Sequence, residues 1–309
     1  MKTDNMDRRK FLGRLGAAGM ALPLGITGCG NAEKDAPTAG GQPELSGPRV
    51  GLCTIAFQER PLDEVLELAA RVGFDGVEPW GKPDHLPLTS PDDRVLEIRD
   101  KVRSLGLEVS HYGCYVRLGD GQEPAEKDRE MDRVISITGM LGTGIARIWA
   151  GTKDSEELDE RDWRLMVEDG KRFCARAEEA GVLLAMEMHS NSVTNRAAGA
   201  ARLIELVGSP ALRANYQAIF GPGGEDFYQR ARTVGPWVVM VHAQNSRAGE
   251  HEQCLIEEGD LDFRKLYGIL KNEFGFEGYF EVEFVRGRSY EEKVAALEKD
   301  CAYLKSIRA

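Results

Sequence analysis

The segment Val182-Leu-Leu-Ala-Met-Glu-Met-His-Ser190 decides how the chain folds. Five apolar residues run without a break into Glu187, and His189 follows two positions later. A short apolar run of this kind suits a strand covered on both faces, as in a parallel sheet under helices. Glu187 and His189, separated by one residue, share one side of the pleat. A carboxylate and an imidazole at the end of a buried strand serve chemistry rather than packing. We read them as one wall of a metal site whose other groups come from three later strands.

Outward from this strand, apolar runs alternate with amphipathic stretches about eight times. The runs 49–56, 75–79, 107–113, 145–149, 182–188, 212–217, 237–243 and 279–284 read as strands. Helices are expected near 62–72, 92–105, 124–141, 162–180, 195–207, 225–234, 262–274 and 290–307. In the fourth, Trp163, Met166, Val167, Gly170, Phe173, Cys174 and Ala177 recur at helical spacing and form one apolar stripe. Several helices stop at a glycine before the next strand, as at Gly106, Gly181 and Gly275. Regular βα alternation implies a parallel sheet. Eight units in about 260 residues imply a single-domain (β/α)8 TIM barrel. An open doubly wound sheet is disfavoured, because no Gly-x-Gly-x-x-Gly follows the first strand.

The chain has 309 residues, of which 42% are apolar and 29% charged, with a net charge of -11. That is the composition of a globular domain with a substantial core. It lacks the basic surface of a nucleic-acid binder. Six scattered cysteines make no C-x-x-C pair and indicate core positions rather than a zinc knuckle or disulfide frame. Arg8-Arg9-Lys10-Phe11-Leu12, an apolar stretch from Leu15 to Ile26, and Ile26-Thr27-Gly28-Cys29 resemble a twin-arginine export signal ending in a bacterial lipobox. That resemblance implies a leader over 1–29, lipidation at Cys29, and an exported protein, periplasmic or membrane-anchored and facing outside the cytoplasm. Residues 30–48, rich in Gly, Ala and Pro, read as a flexible tether, so the barrel occupies 49–309. The membrane contact is through the lipid alone, because the apolar stretch is too short and glycine-rich to span. Homo-oligomerisation stays open.

In such barrels chemistry sits at the C-terminal strand ends. Strand 2 ends in Glu78-Pro79-Trp80 with His85 in the next loop, and strand 3 ends at His111. Strand 5 carries Glu187 and His189, and strand 6 ends in Tyr216-Gln217. Strand 7 ends at His242 with Arg247 beyond, and strand 8 carries Glu281 and Glu283. Four of the five histidines fall at or just past a strand end, and the fifth, His251, lies in the loop after strand 7. That clustering points to a site.

Gly73-Phe-Asp-Gly-Val-Glu78, Met186-Glu187-Met-His189, Val241-His242 and Gly278-Tyr-Phe-Glu-Val-Glu283 resemble the xylose isomerase-like barrel superfamily, and within it the sugar phosphate isomerase/epimerase group. The resemblance covers residues 49–305. It implies one divalent ion held by Glu187, Gln217, His242 and Glu283, with Gln217 standing where the family has Asp. Glu281 is the fallback ligand on strand 8. A mixed set of oxygen and nitrogen donors suits Mn2+ first, and Co2+, Zn2+ or Mg2+ next. The family's chemistry is proton abstraction alpha to a keto-sugar carbonyl through an enediolate, with Glu187 and Glu283 exchanging the proton. By the same resemblance His189 assists Glu187, while Glu78, Trp80, His111 and Arg247 contact the carbohydrate.

Three other readings compete. An endonuclease of the superfamily would need more metal ligands and a basic groove. A non-catalytic carbohydrate-binding lipoprotein would fit the loss of charge at Gln217. A metal-dependent lyase or hydrolase of 3-keto-glycosides would use the same proton abstraction and suits an exported barrel.

Overall fold

A computed structural model describes residues 47–219, 226–249 and 252–307. Cys29, the leader, almost all of the tether and His251 lie outside them. Nine parallel strands follow one another around a barrel: β1 Arg49–Cys53, β2 Gly76–Glu78, β3 Glu108–Val109, β4 Tyr112–Leu118, β5 Ile145–Ala150, β6 Leu183–Glu187, β7 Leu212–Gln217, β8 Val238–Ala243 and β9 Tyr279–Val282. Their spatial order is β3-β2-β1-β9-β8-β7-β6-β5-β4. Among the described residues eight α-helices run between and after them: α1 Leu62–Val72, α2 Asp92–Ser104, α3 Pro124–Leu141, α4 Glu160–Ala180, α5 Ala197–Val207, α6 Phe227–Val234, α7 Phe263–Phe274 and α8 Tyr290–Ser306. The architecture is the expected (β/α)8 barrel.

The third stave differs from the expected run over 107–113. It is split, with β3 pairing with β2 and β4 pairing with β5. Between them the chain leaves the ladder so that Ser110 can bind Val77 O through both its amide and its hydroxyl, each at 3.0 Å. The His111 ring enters the barrel instead of continuing the strand. A bridge between Trp80 and Gly113, with Gly81 N donating to Gly113 O at 2.8 Å, closes the ring. β4 then runs five residues past the expected end, and this extension puts more of the barrel wall above the site.

The helices form where their sequence signals lie. Asp159 caps α4 in a reciprocal box with Asp162, and Ser289 caps α8 in the same way with Glu292. The α4 stripe is buried at Trp163, Met166, Gly170, Phe173, Cys174 and Ala177, with Val167 at its edge. A fully buried side chain the size of Phe173 contributes about 1.5–3 kcal/mol. The five described cysteines are buried and form no disulfide with one another. Among the described residues no helix is long and apolar enough to cross a membrane.

Candidate metal centre

Strand alternation sends one set of side chains outward to the helices and the other into the barrel. The inward set is charged. Glu78 from β2, His111 from the split stave, Arg147 from β5, Glu187 from β6, His242 from β8 and Glu281 from β9 meet in the interior with Glu283, just past β9, and all are buried. Two strand glycines make the room. A Cβ on Gly113 would lie 2.0 Å from Glu78 Oε1, and one on Gly51 would lie 2.7 Å from Glu281 Oε1.

The His242 ring separates two groups of ligands. Its Nε2 is 2.9 Å from Glu78 Oε2. Its Nδ1 faces Gln217 Oε1 at 3.3 Å, Glu283 Oε1 at 3.4 Å and Glu187 Oε1 at 3.6 Å. Donors about 2.1 Å from a shared ion stand roughly 3.0–3.4 Å apart, so this second group has the spacing of a coordination shell. The Gln217 carbonyl is the end turned toward the imidazole, while its Nε2 donates to Glu187 Oε1 at 3.3 Å. The set fits one divalent ion through three oxygens and one nitrogen. Below it, Glu78, His111, His242 and Glu281 form a further tight cluster. His111 Nε2 is 3.2 Å from Glu78 Oε1, and its Nδ1 is 3.0 Å from Glu281 Oε2.

Arg147 joins the two levels. Its Nη1 donates to Glu187 Oε2 at 2.7 Å, and its Nε and Nη2 donate to Glu78 Oε1 at 3.2 and 3.1 Å. Burial alone would raise Glu187, but the charges of Arg147 and His242 outweigh it and hold its carboxyl below the usual range. Glu78 is held well below for the same reason, by His111, Arg147 and His242. Glu283 goes the other way: burial raises it, and the pull of His242 does not compensate. Burial opposes a charge on His111, yet Glu281 and Glu78 push it up to about 9. Glu283 and Glu78 likewise raise His242 well above an ordinary imidazole. Their surroundings therefore shift the two carboxyls in opposite directions, and the two lie 3.6 and 3.4 Å from the same nitrogen.

The sequence-derived residues distribute as follows. Glu78, His111, Glu187, Gln217, His242 and Glu283 come together, and Glu281 lies with them one layer down, paired with His111. His189 does not reach Glu187. It packs on Trp149 with ring centres 4.6 Å apart, its Nδ1 is bonded to Ser190 O, and Arg147 takes the place beside Glu187. Glu78 is committed to Arg147, His111 and His242 rather than turned to a ligand. Arg247 is held by Glu258 with its side chain half exposed, and the cluster does not include it. His85 is tied to Thr54 Oγ1 at 2.8 Å and Arg60 O at 3.1 Å, a packing role. Trp80 is nearly buried in the wall and donates its Nε1 to Tyr115 Oη at 2.7 Å. The walls of the site come from earlier strands as well as later ones.

Arg147 was the principal residue missed, although a lone basic residue inside the apolar run Ile145–Ala150 signals an inward-facing charge. Tyr115 and Arg117 lie beyond the expected end of the third stave. Asn215, whose Nδ2 sits 3.1 Å from His242 Nε2, shares the parity of Gln217 along β7.

Comparison with known proteins agrees with this architecture. A 3-dehydroshikimate dehydratase of Bacillus anthracis is 21% identical over 210 residues, which is 66% of this chain and 74% of that protein. A fructoselysine 3-epimerase of Shigella flexneri is 24% identical over 254 residues, 77% of this chain and 90% of the relative. A xylose isomerase-like TIM barrel protein of Mycobacterium smegmatis, solved in complex with magnesium, superposes with a TM-score of 0.65. It is 16% identical, and the match covers 84% of this chain and 96% of that one. The sequence pattern of one family matches residues 66–307. The chain belongs to the xylose isomerase-like TIM barrel family.

Proposed function

We propose that this protein is a divalent-metal-dependent isomerase or epimerase of a keto-sugar. The observation that carries the reading is the pair Glu187 and Glu283, tuned in opposite directions and set around one imidazole nitrogen beside the Gln217 carbonyl. Family membership and the epimerase and dehydratase relatives support a sugar isomerase/epimerase-like enzyme. An ion held by Glu187, Gln217, His242 and Glu283 would polarise the substrate carbonyl and stabilise the enediolate that forms when the adjacent C–H is lost. Mn2+ is the first choice, and the magnesium-bound relative makes Mg2+ the second.

The chain's own residues supply the proton handling. Glu187, kept ionised by Arg147, is the base that takes the α-proton. Glu283, on the other side of the shared His242 nitrogen, is the group that returns one, and Gln244 Nε2 donates to its Oε2 at 3.0 Å. Arg147 is a positioning residue that fixes Glu187 and Glu78 together. Elimination of a group β to the same carbonyl is the second reading, favoured by the dehydratase relative, and it includes cleavage of 3-keto-glycosides. The leader resemblance adds that the enzyme works outside the cytoplasm, anchored through Cys29.

The test is hydrogen exchange. Protein lacking residues 1–29 is loaded with Mn2+ and incubated in D2O with ketoses and keto-acids, and NMR follows deuterium at the carbon next to the carbonyl. Exchange by wild type that falls at least 1,000-fold in Glu283→Gln is the expected result, on the order of the loss when a catalytic acid is removed. A metal-loaded protein that exchanges no keto-sugar would overturn the reading.

A further inference from the structure

Glu283 stands just past β9, and its two oxygens have separate surroundings. Oε1 faces the candidate ion site, 3.4 Å from His242 Nδ1. Oε2 accepts from Gln244 Nε2 at 3.0 Å, its one donor among the described residues. Gln244 lies two positions after His242, just past the end of β8, and is buried.

Behind Gln244 stands a second amide. Gln253 Nε2 donates to Gln244 Oε1 at 2.9 Å. Donation therefore runs one way, from Gln253 through Gln244 to Glu283. A primary amide has one donor end and one acceptor end, so what position 253 presents decides which end of Gln244 meets the carboxylate. The pair does this without charge, where a carboxylate at 244 would repel Glu283 and an ammonium would neutralise it.

Gln253 is held in turn. Cys254 N donates to Asn245 O at 3.1 Å, which lays residue 253 beside 244. The buried Asn245 side chain ties the segment further. Its Nδ2 donates to Ile256 O at 2.7 Å and Leu261 O at 2.8 Å, and its Oδ1 accepts from Ser246 N at 3.0 Å and Leu261 N at 3.2 Å. Both ends of that amide are thus saturated. The absence of a side chain at Gly259 leaves room for it, because a Cβ there would lie 2.1 Å from Asn245 Cγ.

We propose that Gln244 and Gln253 are positioning residues for Glu283. The amide pair keeps Oε2 turned to Gln244 and Oε1 toward the candidate ion site, so the carboxyl is aimed before ion or substrate arrives. This rests on the keto-sugar reading, in which Glu283 returns the proton. A side chain ordered in advance spares both binding and the chemical step the cost of ordering it.

A double-mutant cycle of Gln244→Leu and Gln253→Glu tests it, with deuterium exchange into ketoses giving kcat and KM and chelator competition giving the Mn2+ Kd. Gln253→Glu keeps the shape of a half-buried side chain but removes its donor, so Gln244 Nε2 turns to it and the Gln244 carbonyl swings onto Glu283. Each single change should lower kcat about 10- to 100-fold with KM within about threefold, as expected for the loss of one hydrogen bond to a charged group. Each should also raise the Mn2+ Kd about three- to tenfold, the cost of ordering one free side chain. In the Gln244→Leu background, Gln253→Glu should move neither value more than about twofold, because the amide that transmits it is gone. Equal losses from Gln253→Glu with and without Gln244 would show the effect of its charge alone and overturn the proposal. Wild-type kcat and Kd in both single variants would overturn it too, and either result leaves the isomerase reading intact. If wild type binds Mn2+ but exchanges no ketose, the isomerase reading falls and the Kd cycle still decides: non-additivity supports the positioning, additivity overturns it. If wild type binds no Mn2+, both fall.

Discussion

Gln217→Asp tests where the ion binds. Gln217 touches both partners of the proposed site, with Oε1 at 3.3 Å from His242 Nδ1 and Nε2 at 3.3 Å from Glu187 Oε1. Aspartate is one methylene shorter, so its carboxylate would lie within about 4 Å of Glu187 and lose the amide's donated bond. Two like charges 4 Å apart repel by about 4 kcal/mol at an effective dielectric of 20. Part of that is relieved by proton uptake, which leaves the metal-free protein roughly 3 kcal/mol less stable. An ion at the centre cancels the repulsion, so the same amount reappears as affinity, roughly 100-fold. Competition with a fluorescent Mn2+ chelator gives Kd, and melts with EDTA or Mn2+ give both stabilities. The expected pattern is a lower Tm without metal, a Tm at least equal to wild type with Mn2+, and a Kd about two orders of magnitude lower. A destabilised protein with unchanged Kd would refute the reasoning, because residue 217 would then touch Glu187 without touching the ion.

Arg147→Met leaves Glu78 and Glu187 buried without their guanidinium, which should cost about 3–5 kcal/mol in EDTA; a urea titration within 1 kcal/mol of wild type would contradict the pairing. An ion on His242 displaces a proton that Glu283 and Glu78 hold there, so Mn2+ affinity should rise at least tenfold per pH unit between pH 6.5 and 7.5. Calorimetry that finds a pH-independent Kd would remove His242 from the ligand set. Away from the site, burial pushes the Asp300 carboxyl up to about 7, with Ile256 N as its donor. A raised carboxyl favours the folded state while protonated, so that stability is lost as pH rises from about 4 to 7. Asp300→Asn keeps the acceptor and should gain up to about 4 kcal/mol over wild type at pH 8, with little gain at pH 4; a pH-independent difference would show that ionisation is not the cause.

Periodicity made most of the barrel legible. The expected helices 62–72 and 124–141 are observed with the same ends, because α1 and α3 begin at clear start signals and close at Gly73 and Gly142. The strand containing Glu187 was readable because an unbroken apolar run has no other use at that length. The split of the third stave was not. Ser110 and His111 sit in a run that reads as continuous strand, and only the Val77 carbonyl and the Glu78 and Glu281 carboxylates pull them out of the ladder. Arg147 escaped for a related reason: a charge inside an apolar strand becomes sensible only once two carboxylates from distant segments surround it. His189 shows the limit of parity. It is on the right side of the pleat for Glu187, but one layer up, where Trp149 captures its ring.

The electrostatics of the cluster fit one ion better than two. Glu78, Glu187, Glu281 and Glu283 surround one guanidinium and two imidazoles. With both imidazoles protonated, one negative charge remains uncompensated, and burial shifts Glu283 toward taking up a proton. A dication held by Glu187, His242 and Glu283 in place of two protons would exchange two charges for two, so the interior would stay balanced with Arg147 and His111 unchanged. A second dication between Glu78, His111 and Glu281 would displace only the His111 proton. It would leave an excess positive charge beside Arg147, whose nitrogens are already 3.1 and 3.2 Å from Glu78. In a low-dielectric interior such an excess is expensive. Arg147 and the protonated His111 thus occupy electrostatically the place a second metal would need, and Arg147 holds Glu78 and Glu187 together beside the candidate ion site.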